Sequence, residues 1–296
     1  MTASPSAFSI WMLAIRPRTL SLSVVPVVVG AGLAWTLAGV VELTSLLSAL
    51  VGAVCIQIAT NLHNDAGDFE RGADGDDRLG PPRVTALGLL SARTVKRAAW
   101  GFFALAALAG LYLVDVGGWP ILALGVCSIL AGWSYTGGPK PIAYTPLGEL
   151  FVLVFFGLGA VGGTVWLQGG TLGPEVLTAG LALGLFAAAV LLLNNHRDAE
   201  IDARNGRRTL AILVGHKGAG RLYAVFMLLP FLLLGPLHWL MPEAQVWLAV
   251  GALPLAWILV KRFPQAEGRE FNFLLARTAQ TQLLFGLLLA FGLVMS

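Results

Sequence analysis

Apolar runs of about 20 residues, the length that crosses the hydrocarbon of a bilayer, recur along nearly the whole chain. In lipid the backbone N–H and C=O groups must find partners within their own segment, so each run is expected to be a helix. Composition agrees: 57% of the 296 residues are hydrophobic, 12% are charged, and the mean hydropathy is +0.79. A soluble globule cannot cover that much apolar surface. The pattern predicts an all-α membrane protein of nine transmembrane helices in one polytopic domain over residues 1–296. The spans fall near 20–41, 43–61, 98–116, 118–134, 146–168, 174–193, 220–240, 244–260 and 271–295. The first run follows Arg16 and Arg18 and has no A-x-A cleavage pattern, so it reads as a retained helix. Cys55 and Cys127 fall inside apolar runs, act as small apolar residues and suggest no disulfide framework.

Charge supplies an independent test of that division. All but one of the 19 Lys and Arg fall in the N-terminal segment or in the connections after helices 2, 4, 6 and 8. The connections after helices 1, 3, 5 and 7 hold only Glu42, Asp115, Glu175 and Glu243. Basic residues retained on the cytoplasmic side give this split if the N-terminus is cytoplasmic and the C-terminus lies outside a cell inner membrane. The net charge of +3 therefore implies no nucleic-acid partner.

Two connections on the basic side are long and polar, 62–97 and 194–219, and are expected to cap an active site. Each follows the second helix of a four-helix set, which suggests a duplicated four-helix unit with a ninth helix added. In the first, Asn61, Asn64, Asp65 and Asp68 are three or four residues apart and share a face if the helix continues that far. In the second, Asn194, Asp198 and Asp202 are spaced i, i+4, i+8. Carboxylates so close repel unless a cation sits among them, and oxygen-only donors favour magnesium shared with substrate phosphates. Arg197, Arg207, Arg208 or Lys140 would neutralise the remaining phosphate charge. The competing reading is solvated loop charge; two matched clusters at equivalent points weigh against it. Asp65 and Asp198 are both expected at the watery boundary with little packing. His63 and His196 sit among oxygen donors and read as polar loop lining rather than zinc ligands.

These residues resemble the UbiA superfamily of intramembrane aromatic prenyltransferases. The resemblance rests on Asn64-Asp65-x-x-Asp68, on Asn194-x-x-x-Asp198-x-x-x-Asp202, on Arg16-Pro17-Arg18-Thr19-Leu20, on Asp77-Arg78-Leu79-Gly80-Pro81 with Arg83, on Tyr135-Thr136-Gly137-Gly138-Pro139, and on Asn195-x-Arg197-Asp198 ahead of Gly206-x-x-Thr209-Leu210-Ala211. It runs from about residue 14 past Arg277 and is nearest the branch acting on 1,4-dihydroxy-2-naphthoate in menaquinone biosynthesis. Gly72 stands where the superfamily often has a third aspartate.

The resemblance implies a helical bundle around a central cavity, with magnesium as cofactor and a polyprenyl diphosphate and an aromatic acceptor as substrates. Asn64, Asp65, Asp68, Asp198 and Asp202 are then the expected metal ligands. Asn61, Asn194, Arg197 and Lys140 are expected to bind substrate. Tyr135 and Tyr144 either shape the acceptor pocket or anchor the chain at the interface. Arg277, inside an apolar span, either binds the acceptor's carboxylate or pairs with an acid such as Glu149. A transporter is the rival reading, but it predicts ion ligands at mid-membrane, whereas these acids cluster at helix ends. The sequence leaves prenyl length and oligomeric state open.

Overall fold

The computed structural model describes residues 6–72 and 78–295, and among them every regular element is helical. Asp74, Asp76 and Asp77 lie outside the described residues. A short helix α1 (Ala7–Ile15) precedes α2 (Ser21–Ala38), α3 (Leu43–Glu70) and α4 (Ala92–Ser134). The fifth apolar run is α5 (Gly148–Val152), a π-helical turn (Leu153–Gly159) and α6 (Ala160–Leu167). Then come α7 (Pro174–Arg197), α8 (Ala199–Arg204), α9 (Leu210–Leu232) and α10 (Leu234–Leu240), and finally α11 (Leu253–Arg262) and α12 (Glu270–Val294). Among the described residues eight helical segments are long and apolar enough to cross a membrane.

One of those eight, the 43-residue α4, covers two of the runs read from the sequence. It breaks at Gly118, whose φ of 67° and ψ of −153° suit only a residue without a side chain, and Pro120 follows. Gly132, after the break, packs on Phe103, before it: a Cβ there would stand 3.4 Å from the ring. The chain therefore doubles back at Gly118. Both arms pack against α3, the most extensive helix pairing in the fold.

Helix α3 runs nine residues beyond the expected end of its span, to Glu70, because no Pro or Gly pair interrupts it before Arg71-Gly72. That extension puts Asn61, Asn64, Asp65 and Asp68 on regular helix. The second polar connection differs. Asp198 leaves helical geometry (φ −95°, ψ 6°) and separates α7 from α8, although the Asp202 N–H still donates to the Asp198 carbonyl at 2.8 Å. The core centres on α7, whose Leu183, Phe186, Leu192 and Leu193 are fully buried against α2, α9 and α12. Helix α7 meets the π-helical turn closely, since a Cβ on Gly157 would lie 2.4 Å from the Gly180 carbonyl.

Candidate active site

A cavity of about 840 Å³ lies between α2, α3, α4, the α5–α6 run and α7. Its far end, beside the reversal at Gly118, is apolar, lined by Leu113, Val114, Ile121 and Leu167. Glycines at 52, 110, 125 and 132 and alanines at 53, 106 and 107 keep its walls open. Leu111 and Val126 line it and are also exposed, so the apolar space reaches the outer surface. The other end is polar, and its character is set by Arg16, Arg18, Arg78, Arg197, Asn64 and Asn194.

That ring of cations is built by local sequence. Arg16 adopts a left-handed conformation (φ 58°) between α1 and Pro17, which turns the chain into α2. Asn61 holds the end of α1 by donating to the Ile15 carbonyl at 3.0 Å. Burial, with Arg83 and Arg78 adding to it, pushes the Arg16 guanidinium down to about 10. Arg197 is held in place by Asp198 (2.9 Å), Asn194 (2.9 Å) and Asn272 of α12 (2.8 Å). Gly80 crosses directly over it: a Cβ there would sit 2.5 Å from the guanidinium, so any side chain at this position would displace Arg197. Asn272 also donates to the Leu79 carbonyl at 2.9 Å, tying the first polar connection to the last helix.

The aspartates stand behind this ring. Asp68 is buried and bound at 2.7 Å by Arg83 and at 2.6 Å by Arg207. Arg207 also reaches Asp202 at 3.2 Å and stacks on the Tyr144 ring at 4.9 Å. Acids from the two polar connections thus converge on one cation. Burial, with Asp198 and Asp68 adding to it, still pushes the Asp202 carboxyl up to about 6 against the pull of Arg207. Among the described residues no three His, Cys, Asp or Glu side chains form a ready metal cluster. The donors nevertheless fit magnesium in kind: they are carboxylate oxygens, and Asp68 and Asp202 already meet at one cationic group, Arg207.

Asp65 departs from expectation. It is 1% exposed, not at a watery boundary, and Asp198, expected at the same boundary, is buried as well and paired with Arg197. The Asp65 carboxylate accepts from the Val84 and Thr85 N–H groups at 3.2 Å each and from the Thr85 hydroxyl, so it anchors the segment carrying Arg83. Asn64 accepts from the Thr136 hydroxyl at 2.8 Å, and His63 meets the same hydroxyl at 3.2 Å, which explains the Tyr135-Thr136-Gly137 segment as a brace for α3. Tyr135 lines the cavity. Lys140 is exposed and away from it. Arg277 also faces outward, and Glu149 is taken up by Asn195 at 2.9 Å instead. His196 is not loop lining but joins an aromatic cluster, 2.9 Å from His216 and stacked on Phe263. The sequence reading assigned no role to Arg16, Arg78 or Asn272; the arginines' signal was their place beside Pro17 and Gly80, whereas Asn272 gave none.

Comparison with known proteins agrees with this geometry. The model of the UbiA prenyltransferase family matches residues 23–281. The 1,4-dihydroxy-2-naphthoate octaprenyltransferase of Escherichia coli is 37% identical over 97% of this chain and 95% of its own. The enzyme of the same name from Mycobacterium tuberculosis is 40% identical over 85% of each. In fold, the structure of a UbiA homolog from Archaeoglobus fulgidus bound to DMAPP and Mg2+ superimposes with a TM-score of 0.71 at 14% identity, covering 96% of this chain and 99% of that one. An apolar cavity closed at one end by arginines, asparagines and paired acids, in a chain matched over most of its length, makes this protein a member of the UbiA prenyltransferase family.

Proposed function

We propose that the chain transfers a polyprenyl group from a polyprenyl diphosphate to 1,4-dihydroxy-2-naphthoate, giving demethylmenaquinol. The allylic carbon–oxygen bond to diphosphate breaks, a carbon–carbon bond forms at the ring carbon bearing the carboxylate, and that carboxylate leaves as carbon dioxide. The observation that carries this reading is the join of a ring of arginines to a long apolar cavity. A diphosphate on a hydrocarbon tail needs both at one boundary. The names of the bacterial relatives favour this acceptor.

Arg16, Arg78 and Arg197 bind the diphosphate, helped by Asn64 and Asn194. Asp68 and Asp202, with Asp198 and Asn64 beside them, would hold magnesium. When bound, the metal supplies charge to stabilise the departing diphosphate. The apolar walls hold the tail straight and keep water from the allylic carbon. Tyr135 shapes the acceptor's end of the cavity. In this reading the two arms of α4 are separate crossings, which gives nine, with the polar connections as the cap on the cytoplasmic side and the two four-helix sets as related halves. Family membership sets aside the carrier reading.

The test is a double-mutant cycle on purified protein. Asp68→Asn and Asp202→Asn should each cut turnover by orders of magnitude, while the double change costs far less than the product of the two losses. Excess chelator should abolish turnover and magnesium restore it. Independent losses, or full activity in chelator, would overturn the shared-site reading.

A further inference from the structure

Arg277 stands two turns inside α12, in a span otherwise uncharged beyond its first turn. It is exposed, and among the described residues no acid pairs with it: its partners are the Gln280 side-chain oxygen at 2.9 Å and the Phe273 ring at 5.2 Å. A cation on a lipid-facing surface without a counter-charge is costly, and its side chain reaches for the nearer boundary. Phe273 lies one turn toward the basic end of α12, so Arg277 leans that way. Arg262, from the end of α11, stacks on the same ring at 5.0 Å. Its charge is met by Glu270 at 2.6 Å, and that of Arg277 is not.

The rest of the face continues the pattern. Phe273, Arg277, Gln280, Leu284, Leu287 and Phe291 recur at steps of three and four, and all are exposed. The opposite stripe, Thr278, Gln282, Phe285 and Leu289, is fully buried. The outward stripe therefore begins with an uncompensated cation held flat by an aromatic ring and ends in apolar side chains. A phospholipid has the same profile, from charged headgroup to acyl chain.

We propose that this outward face binds an anionic membrane phospholipid, its phosphate on Arg277 with Arg262 beside it and an acyl chain along Leu284, Leu287 and Phe291. The planar guanidinium suits phosphate oxygens, and stacking on Phe273 removes much of the disorder that binding would otherwise cost. The excess of Lys261, Arg262, Arg269 and Arg277 over Glu267 and Glu270 at this corner selects a headgroup of net negative charge.

The experiment uses the full chain in nanodiscs of phosphatidylcholine mixed with phosphatidylglycerol of the same acyl chains. Lipid retained through purification is counted by native mass spectrometry. Wild-type protein should retain phosphatidylglycerol about fivefold over its share in the mixture, the preference expected of one basic residue near the surface. Arg277→Gln should bring that ratio near unity. Arg277→Lys, which keeps the charge without the planar fork, should be intermediate and serves if the first variant folds poorly. A parallel melting series in detergent should show stabilisation by phosphatidylglycerol that Arg277→Gln lacks, whereas inorganic phosphate, which the arginines of the cavity also attract, should shift wild type and Arg277→Gln equally. Equal retention of both lipids by wild type, an undiminished preference in either variant, or a stabilisation by inorganic phosphate that Arg277→Gln loses would overturn the proposal. So would a change of oligomeric state in Arg277→Gln, which would mark the face as a contact between copies.

Discussion

Replacing Asp65 by Ala separates a loop anchor from a metal ligand. The side chain accepts from two backbone N–H groups, those of Val84 and Thr85, and from the Thr85 hydroxyl, and both residues are buried. Alanine leaves those N–H groups without partners, at roughly 1–3 kcal/mol each. About 3 kcal/mol of local stability should be lost from the 84–90 segment, which corresponds to about a hundredfold faster amide exchange. Arg83 leaves this segment to bind Asp68, so turnover should fall as well, by displacement rather than by loss of a ligand. Hydrogen exchange read by mass spectrometry over peptides covering 84–90 measures the effect directly. The rate at which a thiol reagent labels the buried Cys55 reports whether the whole bundle has loosened. Unchanged exchange at 84–90 with turnover abolished would refute the reasoning and return Asp65 to the metal.

A further three outcomes are expected. Gly125→Leu places a side chain where a Cβ meets nothing within 4 Å, so the protein should fold normally yet accept only shorter prenyl diphosphates, as read from relative kcat/KM across a chain-length series. Asp202 must be ionised to hold a cation and its carboxyl is pushed up to about 6, so magnesium affinity, followed by melting shifts, should hold above that pH and weaken as pH falls through it. Reporters fused after Ser296 and at Gly206 should fall on opposite sides of the membrane, Gly206 on the cytoplasmic side, as the basic connections require.

The long apolar helices were legible because bilayer thickness writes itself into run length, and α3 kept Asn61 to Asp68 on one helix as their spacing allowed. Of the acids read as one group, Asp68 and Asp202 meet at Arg207, whereas Asp65 is taken up by Val84 and Thr85 and Asp198 by Arg197. These pairings were not legible: the sequence could not show that Arg207 would bridge Asp68 and Asp202, because that contact joins residues 139 apart. Arg277 misled for a physical reason. Its neighbours Thr278, Thr281 and Gln282 are wholly buried, but they lie on the other face of α12, and a run of polar letters hides which face each occupies. The buried stripe of Thr278, Gln282, Phe285 and Leu289 carried that information in its period. The π-helical turn at Leu153–Gly159 left no readable mark, because it arises from close packing of Gly157 on α7.

The chemistry done at the polar end of the cavity is open to one direct assay. Purified protein is given one polyprenyl diphosphate, magnesium and a panel of aromatic acceptors, including 1,4-dihydroxy-2-naphthoate and 4-hydroxybenzoate, and the products are identified by mass. The expected product from 1,4-dihydroxy-2-naphthoate has gained the prenyl group and lost carbon dioxide, with one diphosphate released per turnover. A product from 4-hydroxybenzoate alone, or a naphthoate product that keeps its carboxylate, would contradict the proposed transfer.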